Sequence, residues 1–469
     1  MIHPRHLNAT GFLLVALVAS ALPSRATAQR IDRAEVTAAV DSVVAAARAR
    51  DKIVGMTVLV AQSAQPLLLK GYGLANLDYD IPAGPETVYG IGSLTKQFIA
   101  AAILCLADEG KLRLDDKLSA YFPAFPAAAG VTLRHLLTNT SGINGTTRLS
   151  GRNPERVDHS RDEIMELLFA ANRDSAPEFA PGDAWSYQSV NYALLGFVIA
   201  KVTGTNLWDF LRERFFTPLG MNATGVCDPT AVVKHRATGY VADTGKPDGI
   251  AVAPFVSASY WLGNSGMCSS APDLLKWQRG LVEHRVMSAE SYARMTEPVS
   301  LNDGRRTDYA YGVVRWRLGE EDMIFHTGAA PGFTAYLTYL PASDITVAVL
   351  INSRSDIFAL GPKLARAVRG IPQPQDLGTT ARERARYTGA YESGRVKLDV
   401  IEEDGVLRAD VTNSDSFRFV FPPALVRQAE HEFVMDWEPT SRLTFIMKGG
   451  RAAAAVLRYG DRTLQLRRR

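Results

Sequence analysis

The chain has 469 residues, 46% hydrophobic and 22% charged, a balance that excludes a disordered or fibrous protein. Its formal net charge of +3 is small for that length and gives no reason to expect nucleic acid or a strongly acidic partner. The length is enough for two or three domains with a substantial core, and Arg467-Arg468-Arg469 reads as a solvated tail.

The first residues read as a targeting segment. Arg5 supplies positive charge, Gly11 to Leu22 form an apolar run too short to cross a bilayer, and Ala26-Thr27-Ala28 is an A-x-A cleavage site. The expectation is a signal peptide over residues 1–28, a mature chain from Gln29, and a periplasmic or secreted location. No cysteine near the cut points to a lipid anchor, so no stable membrane attachment is expected after cleavage. Val36 to Arg50 then reads as an amphipathic helix, and Ile53 to Val60 and Pro66 to Lys70 as strands. Ser93 opens a helix that is apolar all round through Leu106, the signature of an element in the middle of a protein, and Gly110 is its stop.

Residues 112–225 are mostly helix and loop, clearest at Leu133 to Leu137, Arg161 to Ala171 and Asn191 to Val202. Met323 to Phe325, Thr334 to Leu340 and Ile345 to Ile351 read as strands, the last two as a hairpin. Pro362 to Val368 reads as a short helix with its proline in the first turn. The proline-containing connector after Gly370 sets the expected organisation: a first domain over 29–370, a linker over 371–380, and a C-terminal domain over 381–469. In that last part Val396, Leu398 and Val400, a turn at Asp404-Gly405, then Leu407, Val411, Phe417, Phe419, Leu443, Phe445, Val456 and Leu457 carry a β pattern. They predict a small antiparallel sheet or barrel. Of the three cysteines, Cys105 reads as a core thiol, while Cys227 and Cys268 flank one segment and sequence leaves their pairing open. No metal-binding spacing occurs, so neither metal nor cofactor is expected.

Chemistry concentrates at three places. Ser93-Leu94-Thr95-Lys96 is the one S-x-x-K in the chain, where chance supplies about one. The spacing puts hydroxyl and amine on the same helical face, where a neutral lysine can take the serine proton. Less than about 0.1% of a free lysine is neutral at pH 7, so burial or nearby cations must lower its pKa. Tyr187 lies in Pro181-Gly182-Asp183-Ala184-Trp185-Ser186-Tyr187-Gln188-Ser189 and can share the proton or pass it to the leaving group. His326-Thr327-Gly328 ends a strand, and the amide of Ala329 can join that of Ser93 in holding an oxyanion. Gly328 and Gly332 lack side chains, which leaves room for a substrate along that edge. Taken singly, Tyr187 and His326 read as structural residues; their joint occurrence with Ser93 and Lys96 is what points to acyl transfer.

Gly71-Tyr72-Gly73-Leu74-Ala75-Asn76 and Ile91-Gly92-Ser93-Leu94-Thr95-Lys96-Gln97-Phe98, with Leu136-Leu137-Thr138-Asn139-Thr140-Ser141-Gly142 and Gly266-Met267-Cys268-Ser269-Ser270-Ala271-Pro272-Asp273-Leu274, resemble the serine β-lactamase and penicillin-binding protein superfamily. The nearest branch holds class C β-lactamases, D-alanyl-D-alanine carboxypeptidases, D-aminopeptidases and related esterases. The resemblance implies an α+β sandwich of antiparallel sheet flanked by helices, a helical subdomain beside it, and a small C-terminal β domain. It implies Ser93 as nucleophile, Lys96 and Tyr187 as the proton-handling pair, Ser93 and Ala329 amides as oxyanion hole, and Thr327 in contact with substrate. Two positions depart from the pattern. The usual Y-x-N is Tyr187-Gln188-Ser189, so Ser189 stands where an asparagine amide meets substrate. His326 stands where class C β-lactamases carry lysine, and a protonated imidazole there is expected to attract a substrate carboxylate, more weakly as pH rises through neutrality. The leading reading is an exported serine hydrolase acting on a D-peptide, amide or ester, with a cell-wall-derived substrate as one candidate. A β-lactamase, and a non-catalytic penicillin-recognising protein, are the alternatives.

Overall fold

The computed structural model describes residues 32–469 apart from 126–128, 145–153, 175, 247–248, 395, 404, 413–421, 437–439 and 460–461. The targeting segment, Asp404, Phe417 and Phe419 lie outside the described residues.

Near-continuous apolar runs with β-branched residues build the central sheet. Its seven antiparallel strands lie in the spatial order Ile81–Pro82, Gln65–Asn76, Gly55–Gln62, Ile345–Ile351, Phe333–Leu340, Glu321–Ala330 and Val314–Leu318. An early strand thus sits in the middle against a late one, with Met56 opposite Ile351 and Gln62 opposite Ile345. Successive side chains point to opposite faces. Met56, Val58, Val60, Val347 and Val349 pack beneath the helices Arg33–Asp51 and Ile357–Val368, while Leu59, Ala61, Ala348 and Leu350 join the core on the other side. Both faces are covered, which is why these strands read as apolar throughout rather than alternating.

The helix Thr95–Asp108 fills that second core and is buried at every position from Thr95 to Leu106. Phe98 stacks on Trp277 with centroids 3.9 Å apart and meets Phe216 edge-on at 5.8 Å. Truncating such a ring to alanine costs about 3–5 kcal/mol. Beside it stands a helical subdomain that includes Leu133–Thr138, Arg161–Ala171 and Ser189–Thr203. Tyr192 ties two of these helices together, its hydroxyl donating to the Leu137 carbonyl at 2.6 Å.

Several elements differ from the sequence reading; the strand expected over Pro66 to Lys70 runs from Gln65 to Asn76. The strand expected over Met323 to Phe325 runs on to Ala330, so His326-Thr327-Gly328 lies within it. Its neighbour Val314–Leu318 pairs only as far as Phe325, which leaves the stretch from His326 onward on an open edge. The helix expected to begin at Pro362 begins at Ile357, with Pro362 inside it. Asp356 caps it by accepting from Ala359 N at 3.1 Å, and burial of Ile357 through Gly361 overrides the preference of proline for a first turn.

Residues 371–380 carry no regular structure. The short helix Ala381–Tyr387 and eight antiparallel strands follow, and the two outer strands of that sheet approach one another where Ala409 N donates to Pro423 O at 3.0 Å. The sheet therefore curls into a near-barrel. Lys363 and Asp436, 2.8 Å apart, and a 2.8 Å bond from the Tyr459 hydroxyl to Asp308 join it to the first domain. The architecture is the expected α+β sandwich with a helical subdomain and a small C-terminal antiparallel β domain. Cys105 is a buried free thiol. Cys227 and Cys268 are bonded, fastening the chain just after the strand Gly225–Val226 to the strand Met267–Ser269. Closing a loop with a sequence separation of 41 stabilises a fold by about 4 kcal/mol in the chain-entropy account. The double variant Cys227→Ser, Cys268→Ser is expected to unfold at distinctly lower urea; an unchanged midpoint would contradict a structural role for the bond.

Candidate active site

Gly92–Leu94 form a 3-10 turn ahead of the Thr95–Asp108 helix, so Ser93 precedes that helix rather than opening it. Side chains three residues apart eclipse in such a turn. Lys96 Nζ accordingly reaches Ser93 Oγ at 2.9 Å and donates to the Asn264 carbonyl at 2.6 Å. Lys96 is fully buried, and loss of water from around the ammonium lowers its pKa from 10.5 to about 7. At neutral pH a large share of it is free amine. Such an amine has two N–H groups and one lone pair; with the Asn264 carbonyl taking an N–H, the lone pair is available to the serine proton.

Tyr187 closes the other side. Its ring centroid lies 5.1 Å from Lys96 Nζ, and its hydroxyl is hydrogen-bonded to Ser93. Burial pushes the phenol well above its usual range, and the bond to Ser93 offsets only part of that. Tyr187 is therefore a neutral phenol, which leaves Lys96 as the base. Asn139 braces the segment that carries it. Held left-handed at φ 57° after the helix Leu133–Thr138, Asn139 accepts from Ser186 N through its carbonyl at 3.0 Å. Its side-chain oxygen accepts from Gln188 N at 3.1 Å and from the Asn191 amide at 2.9 Å.

The serine turn and the open-edged strand interlock. Gly92 sits at φ +51°, and a Cβ built on it would stand 2.4 Å from Ala329 N. A Cβ on Gly328 would stand 1.9 Å from the Ile91 carbonyl and 3.2 Å from Ser93 N. Only glycines permit this approach, and it brings the amide nitrogens of Ser93 and Ala329 together beside the nucleophile. Gly328 therefore makes room for the protein's own turn, not for substrate as its sequence suggested. Gly332 likewise faces its own chain, at Gly239 and Ala253.

His326 is not the carboxylate-binding cation that its position suggested. It is fully buried, and its Nδ1 lies 2.6 Å from the Thr327 carbonyl, which can only accept, so Nδ1 carries the proton. Nε2 is then the acceptor, and the Tyr309 hydroxyl donates to it at 3.3 Å. Burial, reinforced by the charge of Lys96, lowers the imidazole to about 3. A ring neutral across the physiological range cannot attract a carboxylate as a cation. Thr327 is 5% exposed. Ser189 is the half-buried first residue of its helix, and Asn191, fully buried and bonded to Asn139 and Ser141, does not substitute for the missing asparagine. Sequence reasoning missed Asn139, Tyr309 and Asn264. The first is a turn-former among turn-formers, and the last acts through its backbone, which carries no residue-type signal.

Comparisons with known proteins identify the family and the fold. The family described as Beta-lactamase matches residues 40–368. A D-aminopeptidase of Gluconobacter oxydans is 26% identical over 344 residues, which cover 73% of this chain and 64% of the relative. A D-aminopeptidase of Brucella canis is 29% identical over 321 residues, covering 68% and 60%. The chain thus matches less than two thirds of the length of either relative. Among solved structures, the octameric penicillin-binding protein homologue from Pyrococcus abyssi superposes with a TM-score of 0.67 at 24% identity, over 92% of this chain and 98% of its own. The D-amino acid amidase from Ochrobactrum anthropi superposes with a TM-score of 0.62 at 22% identity, over 72% and 100%. At these identities the two structures establish the shared fold. If His326 is neutral as its surroundings require, its ring resonances will not titrate between pH 5 and 8 by NMR. A midpoint near 6.5 would return it to carboxylate binding.

Proposed function

From a chain that belongs to the beta-lactamase family, we propose an exported serine hydrolase that forms an acyl-enzyme on the amide bond of a D-amino acid amide or D-peptide. The observation that carries this reading is the fully buried Lys96 amine, with a pKa near 7, lying 2.9 Å from Ser93 Oγ. In the first half-reaction Ser93 Oγ attacks the substrate carbonyl as Lys96 takes its proton. The oxyanion that forms accepts from the Ser93 and Ala329 amides. Collapse expels the amine, which takes a proton from Lys96 through the Tyr187 hydroxyl, leaving an ester on Ser93. Water then attacks that ester, giving its proton to the same pair, and the acid departs with Ser93 restored.

The D-aminopeptidase relatives support a D-configured amide as substrate. The neutral His326 and the serine at position 189 weigh against β-lactam hydrolysis as the main activity, because neither supplies the cation or the amide that the family's β-lactamases place there. Residues 1–28, read as a signal peptide, and the Cys227–Cys268 bond support export to an oxidising compartment. A cell-wall-derived peptide fits that location.

The purified protein and Ser93→Ala are to be compared with a fluorophosphonate, a fluorescent penicillin and D-alanine p-nitroanilide. The expected result is serine-dependent labelling by the fluorophosphonate and release of nitroaniline, with Ser93→Ala at least about 10³-fold slower. Rapid turnover of the penicillin without amide hydrolysis would favour the β-lactamase. A penicillin label that persists would favour a penicillin-recognising protein.

A further inference from the structure

Behind Tyr187 stands a second tyrosine that is fully buried, Tyr309. Its hydroxyl donates to His326 Nε2 at 3.3 Å, and its ring meets Tyr187 edge-on with centroids 6.1 Å apart. Tyr187 and His326 face each other as well, at 6.2 Å, so the three rings close on one another. Trp185, 5.8 Å from Tyr309, backs this group. Tyr187 is the member that reaches the reaction, through its hydrogen bond to Ser93. Burial holds the Tyr309 phenol well above its usual range, so it is neutral and offers no second base. What it offers Tyr187 is a fixed seat.

The backbone that carries Tyr309 belongs to no helix or continuous strand. A single bridge to Val314 and a 2.9 Å bond from Thr307 Oγ1 to the Tyr309 carbonyl hold it. The residue before it faces the other way. The Asp308 carboxylate accepts from the Tyr459 hydroxyl of the C-terminal domain at 2.8 Å, and the Asp308 carbonyl accepts from Arg315 N at 2.9 Å. Asp308 and Tyr459 both line a cleft of about 720 Å³ between the two domains, so their bond bridges a gap rather than lying in a packed seam. The C-terminal domain thus holds the neighbour of Tyr309 directly. The Lys363–Asp436 pair joins the same domains elsewhere, at the helix Ile357–Val368.

We propose that Tyr309 is a positioning residue for acyl transfer, seating Tyr187 and His326 behind Ser93, and that the C-terminal domain braces it through Tyr459 and Asp308. The inference rests on the hydrolase reading for the reaction and on the packing alone for the brace. Its consequence is selective. An amide's leaving amine must receive a proton by way of the Tyr187 hydroxyl as the carbon–nitrogen bond breaks, whereas p-nitrophenolate leaves an ester as an anion and needs none. A Tyr187 that has lost its seat therefore slows acylation by amides more than acylation by activated esters.

The full chain is to be compared with Tyr309→Phe, Tyr459→Phe and, as a control that loosens the other interdomain contact, Lys363→Met. In Tyr309→Phe, kcat/KM for D-alanine p-nitroanilide is expected to fall at least about tenfold while that for p-nitrophenyl acetate stays within about twofold. Tyr459→Phe should show the same selectivity to a smaller extent, and Lys363→Met should show none. A readout without turnover is solvent exchange of the His326 Nδ1 proton by NMR. It should quicken at least about fivefold in both tyrosine variants and not in Lys363→Met. Equal losses on amide and ester in Tyr309→Phe, or a Tyr459→Phe indistinguishable from Lys363→Met, overturns the inference. A wild type that cleaves neither compound, or the ester alone, removes the amide-hydrolase reading instead, and the exchange rates then decide whether Tyr309 and Tyr459 hold the site.

Discussion

A lysine amine stripped of water, with one serine hydroxyl in reach, is the condition that the rest of the site serves. Lys96 is buried because its helix is apolar on every face and lies between the sheet and the helical subdomain. Removing the hydration shell destabilises the ammonium, and no carboxylate figures among the causes of its shift to restore it. The Asn264 carbonyl aims the nitrogen without holding it protonated. A carboxylate in that place would raise the pKa and disable the base. Burial has a thermodynamic consequence. Because the folded pKa lies below the unfolded one, the unfolded chain binds more protons between about pH 7 and 10.5, and this group's contribution to stability rises with pH across that window.

The oxyanion cradle depends on a different constraint, the contact of two backbones with nothing between them. Gly92 and Gly328 are the two sides of one junction, and each would lose its partner if either carried a side chain. His326 lies near enough to Lys96 to feel its charge. With its Nδ1 proton committed to the Thr327 carbonyl and its Nε2 to Tyr309, it adds no charge to the site. Lys96 is then the group that titrates between the neutral phenol of Tyr187 and the neutral imidazole, so proton transfer centres on a single amine.

How much of this could be read from residues alone varied with its locality. Ser93 and Lys96 were legible because three residues of helical spacing decide their meeting. The C-terminal strands, the hairpin Phe333–Leu340 with Ile345–Ile351, and the helix Arg161–Ala171 were legible from period and turn chemistry. Tyr187 was legible only through the motif around it, since 94 positions separate it from Ser93. The burial of His326 was not legible. In a sheet covered on both faces, alternation does not mark one face as wet, so a strand histidine reads the same at the cleft or behind it. Nor was the Gly92–Gly328 junction, a contact between distant segments, nor the start of the Ile357–Val368 helix, where packing overrode proline.

The most direct test of the account is the pH dependence of Ser93 modification by a fluorophosphonate, followed from pH 5 to pH 10.5. The account predicts a rate that climbs about tenfold per pH unit below 7, levels off near that value, and loses this limb in Lys96→Ala. A rate that keeps climbing to pH 10, as a solvated lysine demands, or a limb near 7 that survives Lys96→Ala, would contradict it.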